Sequence, residues 1–229
     1  MSTNSLLYFL IVIIISVLLN FNCKNARNSP PNEKSNPSIS KKSTVKKNKV
    51  IDSILLVTMN FNEKDALSKI SVKISSFYNL PVKHIGSYLP KFAYYKPRNR
   101  FRADSLINYV HTLNRGKYRF AVGLTSMDIS STRGQIIDWG IFGLGSLDSK
   151  GCVISSFRLK KGASNKLFVE RIQKVVLHEI GHNYGLKHCE TNYPCFMKSA
   201  GGKISVVDNE PMDICSNCKR KLRVRNNEM

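Results

Sequence analysis

Apolar and polar residues alternate with regular periods through most of the chain after residue 50. The run "IDSILLVTMN" (51–60) is apolar and rich in β-branched residues, which predicts a buried strand. The segment "NEKDALSKISVKISSFYN" (62–79) then places apolar side chains near helical spacing, as does "RADSLINYVHTLN" (102–114). Between these two predicted helices, "VKHIGSYL" (82–89) is predicted to be a short strand or an extended segment.

The second half of the chain continues with strands and one long helix. A buried strand is predicted at "YRFAVGLTSMDI" (118–129), and two more at "IFGLGSL" (141–147) and "GCVISSFRL" (151–159), around a turn. The long helix begins near Ser164 as its N-cap and runs into "LHEIGHNYGL". Beyond it the apolar period fades. The element order predicts a mixed α/β (α+β) domain, with helices covering a twisted sheet.

The first 23 residues contain no charged side chain, and Leu6–Leu19 is almost wholly apolar. That run is shorter than the about 17–25 residues of a membrane-spanning helix but fits the apolar core of an export signal. Cys23 follows it and resembles the lipid-attachment cysteine of bacterial lipoproteins, although Asn22 replaces the usual small residue. We expect an exported, membrane-anchored lipoprotein, with an uncleaved anchor or ordinary secretion as alternatives.

Charge and composition divide the rest of the chain in two. Residues 24–49 hold eight Lys or Arg, one Glu and almost no large apolar residue, which predicts a disordered basic tether. Residues 50–229 suit one folded domain. The whole chain has a net charge of +21, so the domain is still strongly basic. Such a charge favours anionic partners, such as lipid surfaces, nucleic acid, cell-wall polymers or acidic proteins, without choosing among them.

The long helix contains a metal-binding pattern. His178 and His182 are four residues apart and therefore project from one helical face, while Glu179 lies at the edge of that face. Gly185 allows the chain to leave the helix, and His188 then returns as a third ligand. Three imidazoles leave one position of a tetrahedral zinc ion open, as in catalytic sites. The pattern predicts peptide-bond hydrolysis through a zinc-bound water, with Glu179 as general base.

Four cysteines follow the histidine motif: Cys189, Cys195, Cys215 and Cys218. Two cysteine pairs joined by a loop are typical of a closed four-thiolate zinc site, and we expect a second, structural zinc here. Disulfides, which an exported chain would permit, and free thiols are the alternatives. Cys152 lies in a predicted strand and is interpreted as a core residue. Core packing is likewise the favoured explanation for Trp139 and the glycines of "WGIFGLG" (139–145), with a place beside the cleft as the alternative.

The run His178–Cys189, followed by Cys195, Met197 and the pair Cys215/Cys218, is similar to the archaemetzincin family of zinc metallopeptidases. Five residues separate Cys189 from Cys195, one more than in that family's pattern. The resemblance extends from Ile51 to about Leu222 in element order.

The resemblance implies a catalytic zinc on the three histidines, Glu179 as base, and a structural zinc on the four cysteines. It makes Met197 the turn methionine beneath the catalytic metal. The implied fold is metzincin-like: a twisted mixed sheet with two backing helices, an active-site helix and a small irregular C-terminal subdomain that holds the cysteines. Within this fold, "GCVISSFRL" (151–159) is our candidate for the edge strand that aligns an extended peptide.

Other functions use the same residues. "CSNCKRKLRVR" (215–225) could belong to a basic, non-catalytic zinc-binding module, but export would remove it from nucleic acid, which we therefore do not expect as a partner. A zinc-dependent amidase acting on a cell-wall amide would need the same zinc and Glu179. A scaffold without turnover would not need Glu179. We expect a peptide or protein substrate and a membrane as partners. We also expect the protein to be a monomer.

Overall fold

The computed structural model describes residues 50–228. The predicted export segment, Cys23 and the predicted tether lie outside the described residues, so they stay predictions. The strands are β1 (Ile51–Met59), β2 (Val82–Ser87), β3 (Tyr94–Tyr95), β4 (Arg100–Arg102), β5 (Tyr118–Thr125), β6 (Ile129–Arg133), β7 (Ile136–Ile141), β8 (Gly143–Gly145) and β9 (Gly151–Ser155). The helices are α1 (Lys64–Tyr78), α2 (Ala103–Asn114), α3 (Asn165–Asn183), α4 (Ile204–Asn209) and α5 (Ser216–Glu228).

Five strands form the main sheet in the order β2-β1-β5-β9-β8. The first four are parallel, and β8 runs antiparallel to β9. The prediction that 151–159 is the edge strand is therefore wrong, because β9 pairs on both sides and β8 forms the edge. All five residues of β9 are buried, as expected for a strand with two neighbours and two covered faces. A proline at Ser155 would remove the bond from its N–H to the Phe142 carbonyl, and so would damage the sheet itself.

Helices cover both faces of this sheet. Ile54 and Leu56 of β1 point to one face, where α1 and α3 pack, and Leu55 and Val57 point to the other, where α2 packs. This alternation explains why the apolar run of β1 is continuous. The two backing helices thus lie on opposite faces of the sheet, and α3 shares a layer with α1. The mixed α/β fold class predicted from the sequence is confirmed.

A second, smaller sheet has the order β3-β4-β6-β7. The sequence predicted one strand over 118–129, whereas the chain leaves β5 after Thr125 and enters β6 at Ile129. A chain of alternating charges holds the β6–β7 hairpin to the main sheet. Arg158 binds both carboxylate oxygens of Asp128, at 2.7 and 2.9 Å. Asp128 also lies 2.8 Å from Arg100, which binds Asp138 on β7 at 2.9 Å.

The C-terminal part is irregular except for α4 and α5, as predicted. Arg171 on α3 binds Asp208 on α4 at 2.6 and 2.8 Å, and Lys174 donates to the carbonyl of Val207 at 3.0 Å. These bonds fasten α4 to the N-terminal half of α3. In the part of the chain that the structure describes, no helix combines the length and the apolarity needed to cross a membrane.

The Glu63 carboxylate joins the start of α1 to the ends of β5 and β9. It accepts hydrogen bonds from Ser126 at 2.8 Å and from Ser156 at 3.0 Å, and it pairs with Lys160. Burial opposes ionisation, but the bonds from Lys160, Ser126 and Ser156 outweigh it and hold the pKa of Glu63 below its usual value of 4.5. The ionised form is therefore favoured by folding.

Replacing Glu63 with Gln should lower the free energy of unfolding by about 1–3 kcal/mol at pH 7, because charged hydrogen bonds are lost. Since the folded pKa is depressed, this contribution is present above pH 4.5 and is lost as the pH falls through the folded pKa. Urea denaturation of wild type and variant at pH 7 and near pH 4 measures it. Asp65→Asn, which removes an exposed ion pair with Lys69, should leave the urea midpoint close to that of the wild type. A Glu63→Gln deficit that does not shrink at low pH would contradict the assignment.

Candidate active site and metal centres

Helix α3 and the turn after it bring three histidines together. The helix begins at Ser164, whose hydroxyl accepts the N–H of Leu167, so the predicted N-cap is confirmed. At its other end, Gly185 adopts φ +78°, and the N–H of Leu186 bonds to the Gly181 carbonyl at 3.0 Å. This left-handed turn reverses the chain and returns His188 to the helix. Each of His178, His182 and His188 offers a ring nitrogen within 4.8 Å of the others.

Backbone carbonyls fix the rings of the two helical histidines. Nδ1 of His178 lies 2.7 Å from the carbonyl oxygen of Phe196, and Nδ1 of His182 lies 2.7 Å from that of Leu186. A carbonyl oxygen can only accept, so both Nδ1 atoms carry the proton and both Nε2 atoms present a lone pair. These two Nε2 atoms face each other at 3.0 Å. Two lone pairs at that distance repel unless a cation lies between them.

Burial also keeps the three rings neutral. It lowers the pKa of His178 to about 3, with a further contribution from the neighbouring His182. Burial likewise lowers the pKa of His182, and partial desolvation lowers that of His188, although that residue is exposed. At neutral pH the site is therefore a set of uncharged nitrogen donors, which is the form of histidine that binds metals.

Glu179 is buried beneath the edge strand β8. A Cβ atom at Gly143 would lie 2.8 Å from both Cγ and Oε1 of Glu179, and one at Gly145 would lie 3.1 Å from Oε2. Burial raises the pKa of Glu179 to about 8, opposed by a hydrogen bond from the Gly145 backbone. A carboxyl with a pKa near neutrality can both accept and release a proton.

The side chain of Asn183 attaches the end of α3 to the β8–β9 turn. Its amide donates to the Ser146 carbonyl at 3.2 Å, to the Ser149 hydroxyl at 3.0 Å and to the Gly151 carbonyl at 3.0 Å. The N–H of Asp148 also donates to the His182 carbonyl, at 3.2 Å. The strand above Glu179 is thus tied to the helix that contains Glu179.

Met197 lies directly under the histidine helix. Its side chain is fully buried, and its sulfur is 2.6 Å from the position that a Cβ on Gly181 would take. The Met197 carbonyl accepts the N–H of Cys189 at 2.8 Å. The preceding residue, Phe196, supplies the carbonyl that orients His178. The methionine loop therefore contacts both the histidine and the cysteine segments.

The four late cysteines form a second cluster, with all four sulfur atoms within 4.8 Å of one another. Cys189 Sγ and Cys215 Sγ are 3.7 Å apart, and the Thr191 hydroxyl lies 3.1 Å from Cys189 Sγ. These four cysteines and Cys152 are all free thiols. Cys152 is fully buried in β9, which confirms its interpretation as a core residue.

A cavity of about 420 Å³ lies against His178 and Glu179, between the β6–β7 hairpin and the loop after Met197. Trp139 lines it, so the prediction that this residue packs in the core was wrong. The Arg133 guanidinium lies over the Trp139 ring, 5.1 Å from the ring centre. The same ring lies next to Gly202. Lys198, paired with Glu210 at 3.3 Å, also lines the cavity. The sequence placed Trp139 and the glycines of β8 beside the cleft only as the alternative to core packing, and it gave no indication of Lys198 or Glu210.

Comparisons with known proteins agree on one family. The sequence pattern of peptidase family M54 matches residues 104–224. The archaemetzincin of Haloquadratum walsbyi is 32% identical over 147 residues, which cover 61% of this chain and 80% of the relative. The crystal structure of the Methanopyrus kandleri archaemetzincin is 26% identical with a TM-score of 0.66, covering 77% and 96% of the two chains. That of Archaeoglobus fulgidus, complexed with malonate, is 26% identical with a TM-score of 0.64, covering 74% and 99%.

Removing the Asn183 amide should loosen the attachment between α3 and β8. Asn183→Ala should cost about 1–3 kcal/mol, since it removes three hydrogen bonds, one of them to the buried Gly151 carbonyl. Asn183→Asp should cost more, because its carboxylate would face the carbonyls of Ser146 and Gly151. Chemical denaturation measures both.

The matched control is Asn165→Ala at the exposed start of the same helix, which should change stability by less than about 0.5 kcal/mol. If Asn183→Asp were as stable as the wild type, the donor role of Asn183 would be refuted.

Proposed function

Because this chain belongs to peptidase family M54, the archaemetzincins, and is a zinc-dependent peptidase, we propose that His178, His182 and His188 hold its catalytic zinc and that Glu179 transfers the proton. The observation that supports this most directly is the pair of Nε2 lone pairs facing each other at 3.0 Å. Backbone carbonyls hold these lone pairs in place, and a shared cation would remove the repulsion between them.

The donor set fits zinc in number and kind. A zinc–nitrogen distance of about 2.0–2.1 Å places tetrahedral nitrogen ligands roughly 3.3 Å apart, close to the separation of the two helical Nε2 atoms. The bonds from Nδ1 to the Phe196 and Leu186 carbonyls are the outer contacts that orient metal-binding histidines. His188 is exposed, which leaves one side of the cluster open to a substrate.

Glu179 is the residue that moves the proton. Zinc, when bound, would polarise the scissile carbonyl and make a water molecule more acidic. The Glu179 carboxylate removes a proton from the attacking water and delivers it to the nitrogen of the leaving amine. Its burial beneath β8 excludes bulk water from this transfer. A neighbouring cation would lower the pKa of Glu179 from about 8, so the carboxylate would be ionised at neutral pH before substrate binds.

The substrate is a peptide, and β8 is the strand that aligns it. Among residues 50–228, this strand pairs only with β9, which leaves its other edge available to an extended peptide. Gly143 and Leu144 of β8 line the cavity beside His178 and Glu179. A peptide paired along that edge would therefore pass over both residues. This assignment replaces the one made for residues 151–159.

The four-cysteine cluster is our candidate for a second, structural zinc. A zinc–sulfur distance of about 2.3 Å places tetrahedral sulfur ligands roughly 3.7 Å apart, and Cys189 and Cys215 have that spacing. Cys195, Cys215 and Cys218 are buried, so no side of the cluster is as open as the histidine site. The role of such a zinc is to brace the loop between His188 and Met197.

Glu179→Gln should retain zinc and lose activity. The amide has the shape of the carboxylate but cannot accept the proton, so kcat should fall roughly 10²–10⁴-fold. Metal analysis of the full chain should find two zinc ions in both proteins, and a peptide library provides the substrate for the rate measurement. Activity close to wild type in Glu179→Gln would overturn the mechanism.

Cys218→Ser should reduce the zinc content from two ions to one and lower thermal stability, because three thiolates no longer close the site. Cys152→Ser is the matched control, since that cysteine is buried outside the cluster and should leave both ions bound. A wild-type chain with one zinc and fewer than five free thiols among residues 50–228 would indicate a disulfide instead.

A further inference from the structure

We infer that Gly143 is a positioning residue: the bare backbone of the edge strand at this point allows the Glu179 carboxylate to lie beneath β8 in its reactive place. The inference rests on the proposed role of Glu179 as the proton-transferring group.

Backbone conformation does not explain a glycine at position 143. Its φ lies outside the positive range that disfavours other residues, so alanine could adopt the same backbone. The three heavy atoms nearest to an added Cβ all belong to Glu179: Cγ and Oε1 at 2.8 Å and Cδ at 3.1 Å. The absence of a side chain at position 143 therefore allows the Glu179 carboxylate to approach the strand.

The next glycine on the same face has a different role. A Cβ on Gly145 would lie 2.6 Å from the backbone carbonyl oxygen of Glu179 and 3.3 Å from Cys152 Cβ. Helix backbone cannot yield as a side chain does, so Gly145 sets the distance between β8 and α3. Its own backbone provides the hydrogen bond to the Glu179 carboxylate. The absence of a side chain at Gly143 thus leaves room for the Glu179 carboxylate, and the Gly145 backbone forms a hydrogen bond with it.

Strand β8 cannot retreat to relieve a contact at position 143. On one side, the Phe142 carbonyl accepts the Ser155 N–H at 2.9 Å, and Gly143 pairs with Ile154. At the following turn, Asn183 binds the Ser146 carbonyl. An alanine at position 143 would therefore displace the movable partner, which is the Glu179 side chain. The displaced carboxylate would lose its bond to Gly145 and its place beside the histidines.

The opposite edge of the same sheet offers a matched control. Gly86 also lies in an edge strand, β2, but an added Cβ there would meet only the Thr58 hydroxyl, at an ordinary distance of 3.9 Å. Gly86→Ala makes the same chemical change in the same kind of strand, far along the strand order from Glu179.

The first test is a kinetic comparison of Gly143→Ala, Gly86→Ala and wild type, all as zinc-loaded full chains. Gly143→Ala should lower kcat roughly 10–100-fold, since a misplacement of about 1 Å at a reacting group can cost that much. KM should change less than about threefold, and zinc content and melting temperature should stay near wild type. Gly86→Ala should match the wild type in every measurement. A wild-type kcat in Gly143→Ala, or a loss found only in KM or in stability, would overturn the inference.

The second test uses a crystal structure of Gly143→Ala, which does not depend on activity. We expect the Glu179 carboxylate to have moved and its bond to the Gly145 backbone to be broken; a carboxylate in its original place would refute the inference. Gly143→Ala should also have no further effect in a Glu179→Gln background, because it acts through that carboxylate. Full activity in Glu179→Gln would refute the proposed function. Wild-type activity in Gly143→Ala, together with an inactive Glu179→Gln, would refute only the role of Gly143.

Discussion

The hydrogen bonds from two histidine rings to backbone carbonyls are the constraint on which the site depends. Without them, each ring of His178 and His182 could rotate or change tautomer, and the lone pairs would not converge. The acceptors come from two places: the Leu186 carbonyl follows the helix directly, and the Phe196 carbonyl lies 18 residues after His178. The helix alone is therefore insufficient. The turn at Gly185 and the methionine loop must both be folded before the donor set exists.

This dependence connects the two clusters of metal-binding residues. The methionine loop orients His178 through Phe196, and the same loop binds the backbone N–H of Cys189 through Met197. At its start, the N–H of Cys195 donates to Glu210 at 2.7 Å. One short stretch thus contributes a thiol to one cluster and a ring-orienting carbonyl to the other. Because only a few covalent bonds separate these groups, disorder in one cluster would also disturb the other.

Local periodicity was sufficient to predict β1, α1, α2 and α3, because each buries one regular face or a continuous apolar run. It also predicted that His178, Glu179 and His182 would share one region of a helix. Local periodicity did not predict the tertiary contacts that complete the site. The break between β5 and β6 depends on Asp128 meeting Arg158, 30 residues later.

A strand was predicted over 141–147, which contains β8, but its edge position was not, because strand order depends on pairing between distant segments. Whether a glycine serves a turn, a bulge or a neighbour is decided by what packs against it, and for Gly143 that neighbour is on another element. The motif residues could be identified from spacing. Their supports could not, since these arise from tertiary contacts.

The charge chain that holds the β6–β7 hairpin limits how this region can diverge among descendants of the chain. Asp128 contacts two guanidinium groups and Arg100 contacts two carboxylates, so each inner charge neutralises two others. Losing Asp128 would leave Arg158 without its carboxylate partner, and losing Arg100 would leave the buried carboxylates of Asp128 and Asp138 with one arginine partner each. Single substitutions in this set should therefore weaken the attachment of the hairpin. Related sequences should either keep the whole alternating set or replace several of its members together.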